Sequence, residues 1–250
     1  MRKLSAIGIG AGDPEQLTVE AVRALNGLDV VFVVDKGEEV AELAALREEI
    51  CRRYVEGEFR TVFIPDPKRD RTAAAYSEAV EAWRQARADA WGAAIAAELG
   101  EGERGAFLVW GDPALYDSTL AVLERIAATG EPALEYDSIP GISSVQSLAA
   151  RHRISLTRVA ASVLVTTGRR LAAEGLPEDA DVVVMLDAGC AFNQFTAEDL
   201  DIYWGAYLGT ADEILVGGPL AEVAAQIETV RAEARERKGW IMDTYLLRRR

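Results

Sequence analysis

Three glycine-bearing stretches hold the residues of this chain best suited to grip a ligand. The first is Gly8-Ile9-Gly10-Ala11-Gly12-Asp13-Pro14, directly after a strand-like run. Glycine at such a place lets a ligand approach the backbone closely. A dinucleotide turn of the G-x-G-x-x-G kind is one reading, with Asp35 ending the next strand where an acidic residue would hold a ribose. The spacing disfavours it. Counted from Gly8 the third glycine falls on Asp13, and counted from Gly10 it falls on Glu15. Carboxylates there would repel the pyrophosphate that a helix N-terminus must attract. No G-x-x-x-x-G-K-[ST] run exists, which removes the P-loop. The plainer alternative is a tight turn in which Asp13 or Thr18 satisfies free helix amides.

The second stretch, Trp110-Gly111-Asp112-Pro113-Ala114-Leu115-Tyr116, also follows a buried strand. Gly-Asp-Pro makes a turn on its own account. Open α/β sheets, however, place ligands beyond the carboxyl ends of their strands, which makes Gly111 and Asp112 candidate contacts. The third stretch, Ile139-Pro140-Gly141-Ile142-Ser143-Ser144, turns from a strand into a helix. Either serine can cap that helix or bond a polar ligand, and taken alone capping is the stronger reading.

Other chemistries are poorly supplied. Cys51 and Cys190 stand far apart and His152 is the single histidine, so no disulfide framework, metal site or Ser–His–Asp arrangement is expected. His152, between Arg151 and Arg153, is read as a surface or helix-end residue rather than a catalyst. The net charge of −14 disfavours nucleic acid and anionic membrane surfaces. No apolar run of about 18 residues exists to span a bilayer, and the N-terminus lacks the cleavage site of a signal peptide. A cytoplasmic protein is expected.

Positioning the three turns requires alternating strands and helices. Strands are predicted at Leu4–Ile9, Asp29–Val34, Arg60–Ile64, Ala106–Trp110 and Ala133–Tyr136. Helices are predicted at Leu17–Leu25, Glu38–Tyr54, Thr72–Leu99 with a break near Gly92, Ser118–Ala128 and Ile142–Arg151. That is the βαβ pattern of a parallel two-sided sheet. Beyond it strands dominate, at Ala160–Thr166, Asp181–Leu186, Asp201–Leu208, Glu213–Val216 and Trp240–Leu247, with one clear helix, Leu220–Glu236. The expected fold class is therefore α/β, with two α/β domains at 1–154 and 155–250, a mixed sheet in the second and a ligand cleft between them. Arg248-Arg249-Arg250 is read as a solvated tail.

The ordered set of turns resembles the class III, or tetrapyrrole, methyltransferases. That family begins Gly-x-Gly-x-Gly-Asp-x-x-x-Leu-Thr, matched by Gly8 through Thr18; continues with a Gly-Asp-Pro loop, matched by Gly111-Asp112-Pro113; and then has a Pro-Gly-[IV]-[ST]-[SA] turn, matched by Pro140 through Ser144. The resemblance implies two α/β domains, a homodimer and S-adenosylmethionine as methyl donor. Carried over by position, it implies donor contacts at Gly10, Ala11, Trp110, Gly111, Asp112, Leu115, Ser143 and Ser144, then at Met185 and Gly209 in the second domain. Many members have proline where Ala11 stands and a small residue where Trp110 stands.

Within the family, Asp35-Lys36-Gly37-Glu38-Glu39, Leu46-Arg47-Glu48-Glu49-Ile50-Cys51 and Trp110 through Ser118 resemble the subgroup that methylates ring carbon 1 of precorrin-5 and releases an acetyl unit as acetate. Methyl transfer needs mainly distance and alignment, worth up to ~7–11 kcal/mol in ideal cases. Acetyl loss needs a base and an oxyanion donor. Asp35, Lys36, Asp112 and Tyr116 are the catalytic candidates, with Asp35 or Lys36 facing the macrocycle. The alternative for Lys36 is an exposed helix-start lysine pairing with Glu39. Arg69, Arg71, Arg151 and Arg153 are candidates for the substrate's carboxylates. Three alternatives stay open: a sister methyltransferase acting at another carbon or on another substrate, an NAD(P)-binding oxidoreductase, and a non-catalytic tetrapyrrole carrier.

Overall fold

A computed structural model describes residues 1–35, 41–67 and 76–250, without the side chains of 41–44 and 76–80. The chain divides into two compact units. The first is Met1–Gly10 with Pro14–Ile142, and the second is Ala11–Asp13 with Ser143–Arg250. The helix after Pro140 thus belongs with the second unit, ahead of the expected boundary at 154.

In the first unit five strands form one sheet: β1 (Arg2–Gly8), β2 (Val30–Asp35), β3 (Arg60–Pro65), β4 (Arg104–Val109) and β5 (Leu134–Ile139). All pairs are parallel, in the order β3-β2-β4-β1-β5. Val30, Val31 and Phe32 are buried in succession, as a strand covered on both faces must be. Helices α1 (Val19–Leu25) and α2 (Ala41–Tyr54) cover one face, where Ala21, Leu25 and Ile50 meet Ile7 and Val31. Helices α3 (Tyr76–Glu98) and α4 (Thr119–Thr129) cover the other, where Trp91, Ile95 and Val122 meet Leu4, Phe32 and Phe107. Trp91 stacks on Phe107 with ring centroids 4.2 Å apart. Each such large side chain contributes roughly 1.5–3 kcal/mol by leaving water.

Thr18 caps α1 by accepting from the Ala21 amide at 3.1 Å. The expected break near Gly92 does not occur, and α3 runs through it. One glycine costs a helix only about 1 kcal/mol. Here it lies against Ile126 and Pro132, where packing between α3 and α4 offsets that cost.

The second unit holds α5 (Ser144–His152), β6 (Ser162–Thr167), α6 (Gly168–Glu174), β7 (Ala180–Met185), β8 (Leu200–Ala206), β9 (Ile214–Pro219), α7 (Leu220–Lys238) and β10 (Asp243–Arg249). Its sheet is mixed, in the order β6-β7-β10-β8-β9, with only β6 and β7 parallel. Trp204, Phe192, Ile227 and Tyr245 centre its core. Helix α6 escapes sequence reading because its apolar residues, Leu171, Ala172 and Ala173, stand consecutively rather than at helical spacing. The three terminal arginines are not a solvated tail. Arg248 donates to Asp181 at 2.7 Å, Arg249 to Glu198 at 2.9 Å, and Arg250 lies 3.5 Å from Asp199.

Candidate functional site

Strands β4, β1 and β5 are neighbours, so their carboxyl ends bring the three glycine loops of the first unit side by side. The chain leaves β1 towards β2 on one side and leaves β4 towards β5 on the other. This is the strand-order reversal at which open α/β sheets bind ligands. The loops interlock through their backbones. Gly111 N donates to Gly10 O at 2.8 Å, and Gly10 N returns a bond to Gly111 O at 3.3 Å. A Cβ on Gly141 would stand 2.1 Å from Gly111 O, and one on Gly8 would stand 2.5 Å from Gly141 N. No side chain fits at either place, so the glycines serve close packing of three turns. Gly10 and Gly111 take φ of 82° and 70°, a region that favours glycine.

Asp112 ties this ledge together. Its Oδ2 accepts from Gly141 N at 2.9 Å and its Oδ1 from Ala114 N at 2.8 Å. Both oxygens therefore hold main-chain amides. Trp110 and Leu115 are half-buried beside it. Tyr116 is 48% exposed at φ 53°, an uncommon conformation for a bulky residue. Asp35 is exposed at the carboxyl end of β2, opposite Pro65. Lys36, Arg69 and Arg71 lie outside the described residues.

Two arrangements here had no sequence signal. Pairing of β2 with β4 ends at Phe32 and Phe107, and the Leu108 carbonyl beyond it accepts from Arg47 Nε at 3.1 Å. Burial draws the Arg47 guanidinium below its usual pKa, while the charge of Asp117 opposes that shift. At the end of β3, buried Arg87 clamps Asp66 at 2.6 and 3.2 Å, donates to Ser118 at 2.7 Å and lies over the Trp83 ring.

In the second unit, Ala11 is buried and Gly12 abuts the loop after β8. A Cβ on Gly12 would be 2.5 Å from Leu208 O, and one on Gly209 would be 2.8 Å from Asp13 N. Ser143 makes a capping box on α5. It accepts from Val145 N at 3.1 Å and bonds Gln146. Its hydroxyl is thus engaged by the helix, as the capping alternative has it. Ser144 Oγ is 2.9 Å from Thr244 Oγ1, and Thr244 is the strand partner of Met185, so these two residues converge on one threonine. Arg151 is held by Glu213 at 3.0 Å with Asp13 at 4.0 Å, and Arg153 ends α5 at φ 56°. His152 Nε2 lies 3.0 Å from Trp204 O, with its ring edge-on to Tyr203.

The second unit also encloses charges that the sequence did not announce. Arg231 pairs with Asp243 at 2.8 Å and donates to Asp187 O at 2.6 Å, Trp204 Nε1 donates to Asp243, and Tyr245 Oη donates to Asp187. Burial pushes the Asp243 carboxyl above the usual range, with Arg231 opposing.

Comparison with known proteins fits this geometry. The family described as Tetrapyrrole (Corrin/Porphyrin) Methylases matches residues 3–224. A precorrin-6A synthase [deacetylating] of Sinorhizobium sp is 50% identical, covering 100% of this chain and 96% of its own. A solved cobalamin synthesis related protein from Corynebacterium diphtheriae superposes with a TM-score of 0.84 at 35% identity, covering 99% of this chain and 98% of that one. At 17% identity, a uroporphyrin-III C-methyltransferase from Thermus thermophilus, solved with S-adenosyl homocysteine, shares the fold with a TM-score of 0.55 over 98% of this chain and 91% of its own. The chain belongs to the tetrapyrrole (corrin/porphyrin) methylase family.

Proposed function

We propose that this chain is an S-adenosylmethionine-dependent C-methyltransferase that methylates ring carbon 1 of precorrin-5 with loss of acetate, giving precorrin-6A. The observation that carries the reading is 50% identity along the whole chain to a deacetylating precorrin-6A synthase. The interlocked glycine turns support it, because they stand together at the strand-order reversal, where open α/β sheets bind ligands. A dinucleotide-binding oxidoreductase has no such support once the family is known.

In this reading the donor is held in the first unit by Gly10, Trp110, Gly111 and Leu115, on a ledge that Asp112 braces. Ala11, Ser143, Ser144, Met185 and Gly209 are the further donor contacts that the family resemblance implies, with Ser143 acting through its backbone because its hydroxyl caps α5. When bound, the sulfonium supplies the methyl group. The protein's part is alignment, and the ledge is suited to it because its turns are fixed to one another. Asp35, Lys36 and Tyr116 are assigned to the macrocycle side. The enzyme works as a cytoplasmic homodimer on this proposal. Among the described residues no helix is long and apolar enough to cross a membrane.

The test is incubation with labelled S-adenosylmethionine and precorrin-5, read by mass spectrometry. Gain of one methyl with release of acetate is expected. Gain of a methyl with the acetyl unit retained would assign a sister reaction, and binding without methyl gain would leave a carrier.

A further inference from the structure

Asp35 and Tyr116 stand at different strand ends of the first unit, and one buried side chain is linked to each. Arg87, on α3, is 4% exposed. Its Nε and one Nη donate to the two oxygens of Asp66 at 2.6 and 3.2 Å, and its other Nη donates to Ser118 Oγ at 2.7 Å. Asp66 follows β3, and its amide donates to the Asp35 carbonyl at 3.1 Å where pairing of β2 with β3 ends. The next carbonyl, of Pro67, accepts from Trp83 Nε1 at 2.8 Å, and the guanidinium lies 4.5 Å from the centre of the Trp83 ring. Helix α3 thus grips the exit of β3, and with it the end of β2, at two points.

The other branch of the guanidinium ends on the loop after β4. Asp112 ties the start of that loop through the Ala114 and Gly141 amides, and Ser118 ties its end to Arg87. Tyr116 lies between the two ties at φ 53°, a conformation that a bulky residue keeps only where its surroundings enforce it. Ser118 stands at the N-cap position of α4, yet its hydroxyl makes no cap bond; Asp117 accepts from the Thr119 amide at 2.6 Å instead. The Ser118 hydroxyl therefore serves Arg87 rather than the helix. Serving a carboxylate with two donors and a hydroxyl with a third takes a planar fork, which lysine lacks.

We infer that Arg87 is a positioning residue for the macrocycle: it fixes the end of β2 against the loop after β4, so that Asp35 and Tyr116 meet the substrate at a set separation. The inference rests on the reading above, which assigns those two residues to the macrocycle side. Arg87 acts through Asp66 and Ser118 and is itself buried. The donor ledge is fixed by a separate set of bonds, among Gly10, Gly111, Gly141 and Asp112. Loosening the Arg87 clamp should therefore harm use of the macrocycle and spare the donor.

The test compares wild type, Arg87→Lys and Ser118→Ala in turnover of precorrin-5 with S-adenosylmethionine, and in binding of S-adenosylhomocysteine by calorimetry. Arg87→Lys is expected to lower kcat/KM for precorrin-5 by roughly 10²-fold, the cost of misplacing a substrate by about 1 Å. Ser118→Ala keeps the Asp117 cap and the Arg87–Asp66 pair, so it still tests the inference where Arg87→Lys fails to fold. Loss of its one hydrogen bond is expected to lower kcat/KM by about 5-fold. Both variants should bind S-adenosylhomocysteine within about 2-fold of wild type, and adding Ser118→Ala to Arg87→Lys should cost less than about 2-fold more, because the hydroxyl acts only through the guanidinium. Ser118→Ala with wild-type kcat/KM, or with S-adenosylhomocysteine affinity lost in proportion to kcat/KM, would overturn the assignment of Arg87 and leave the deacetylating reading intact. Folded wild type that binds S-adenosylhomocysteine but leaves precorrin-5 unchanged would overturn both.

Discussion

The two units spend their polar groups in different places. The first has a parallel sheet with apolar faces, and it gathers main-chain amides, glycines and Asp112 at the strand ends. The second puts charge inside its sheet, where Arg231, Asp243 and Asp187 lie among aromatic rings. Parallel strands ending together make a shared rim on which a ligand site can be built without weakening the interior. In the mixed sheet a buried ion pair is a feature of the core itself, and removing one partner leaves the other unpaired out of water.

The largest effect should come from breaking the interior of the second unit. Asp243→Ala strands buried Arg231, and a loss of ~3–5 kcal/mol is expected in urea unfolding. Gly12→Ala comes next, because its Cβ would meet Leu208 O at 2.5 Å at a φ of 156°. Overpacking of this kind costs ~1–3 kcal/mol, read as a lower unfolding midpoint. Ser143→Ala removes the cap of α5 and should cost ~1 kcal/mol while leaving donor affinity unchanged by calorimetry. A large loss of donor affinity would instead give the Ser143 hydroxyl a ligand contact.

The smallest effect concerns pH. Burial favours protonated Asp243 in the fold, so above the ordinary carboxylate pKa the folded chain keeps a proton that the unfolded chain has released. The contribution of Asp243 to stability therefore falls as pH rises from the ordinary value to the raised one. The stability of wild type relative to Asp243→Asn should decline across that window, as followed by urea midpoints. A rise would reverse the assigned direction.

Much of the first unit could be read from residues alone. Continuous β-branched runs such as Val30 to Val34 announce buried strands, and Thr18 announces a helix start that the structure confirms. The glycine turns were legible as turns at strand ends, but the purpose of individual glycines was not. Gly141 looks like a turn residue until the Gly111 carbonyl is seen beneath it. The second unit was less legible because its polar contacts join residues distant in sequence. Asp187 meets Tyr245, and Asp181 meets Arg248, with no local pattern to mark either. Arg47 is similar. Only the early end of pairing between β2 and β4 explains why a helix arginine reaches a strand carbonyl.

The central claim is that the glycine ledge of the first unit holds the methyl donor, and titration of S-adenosylhomocysteine into wild type and Gly141→Ala tests it most directly. The extra methyl group would press on Gly111 O and part the loops. Micromolar binding by wild type, weakened at least 10-fold in a variant that still unfolds cooperatively, is the expected result. Equal affinity in the two proteins would contradict the account.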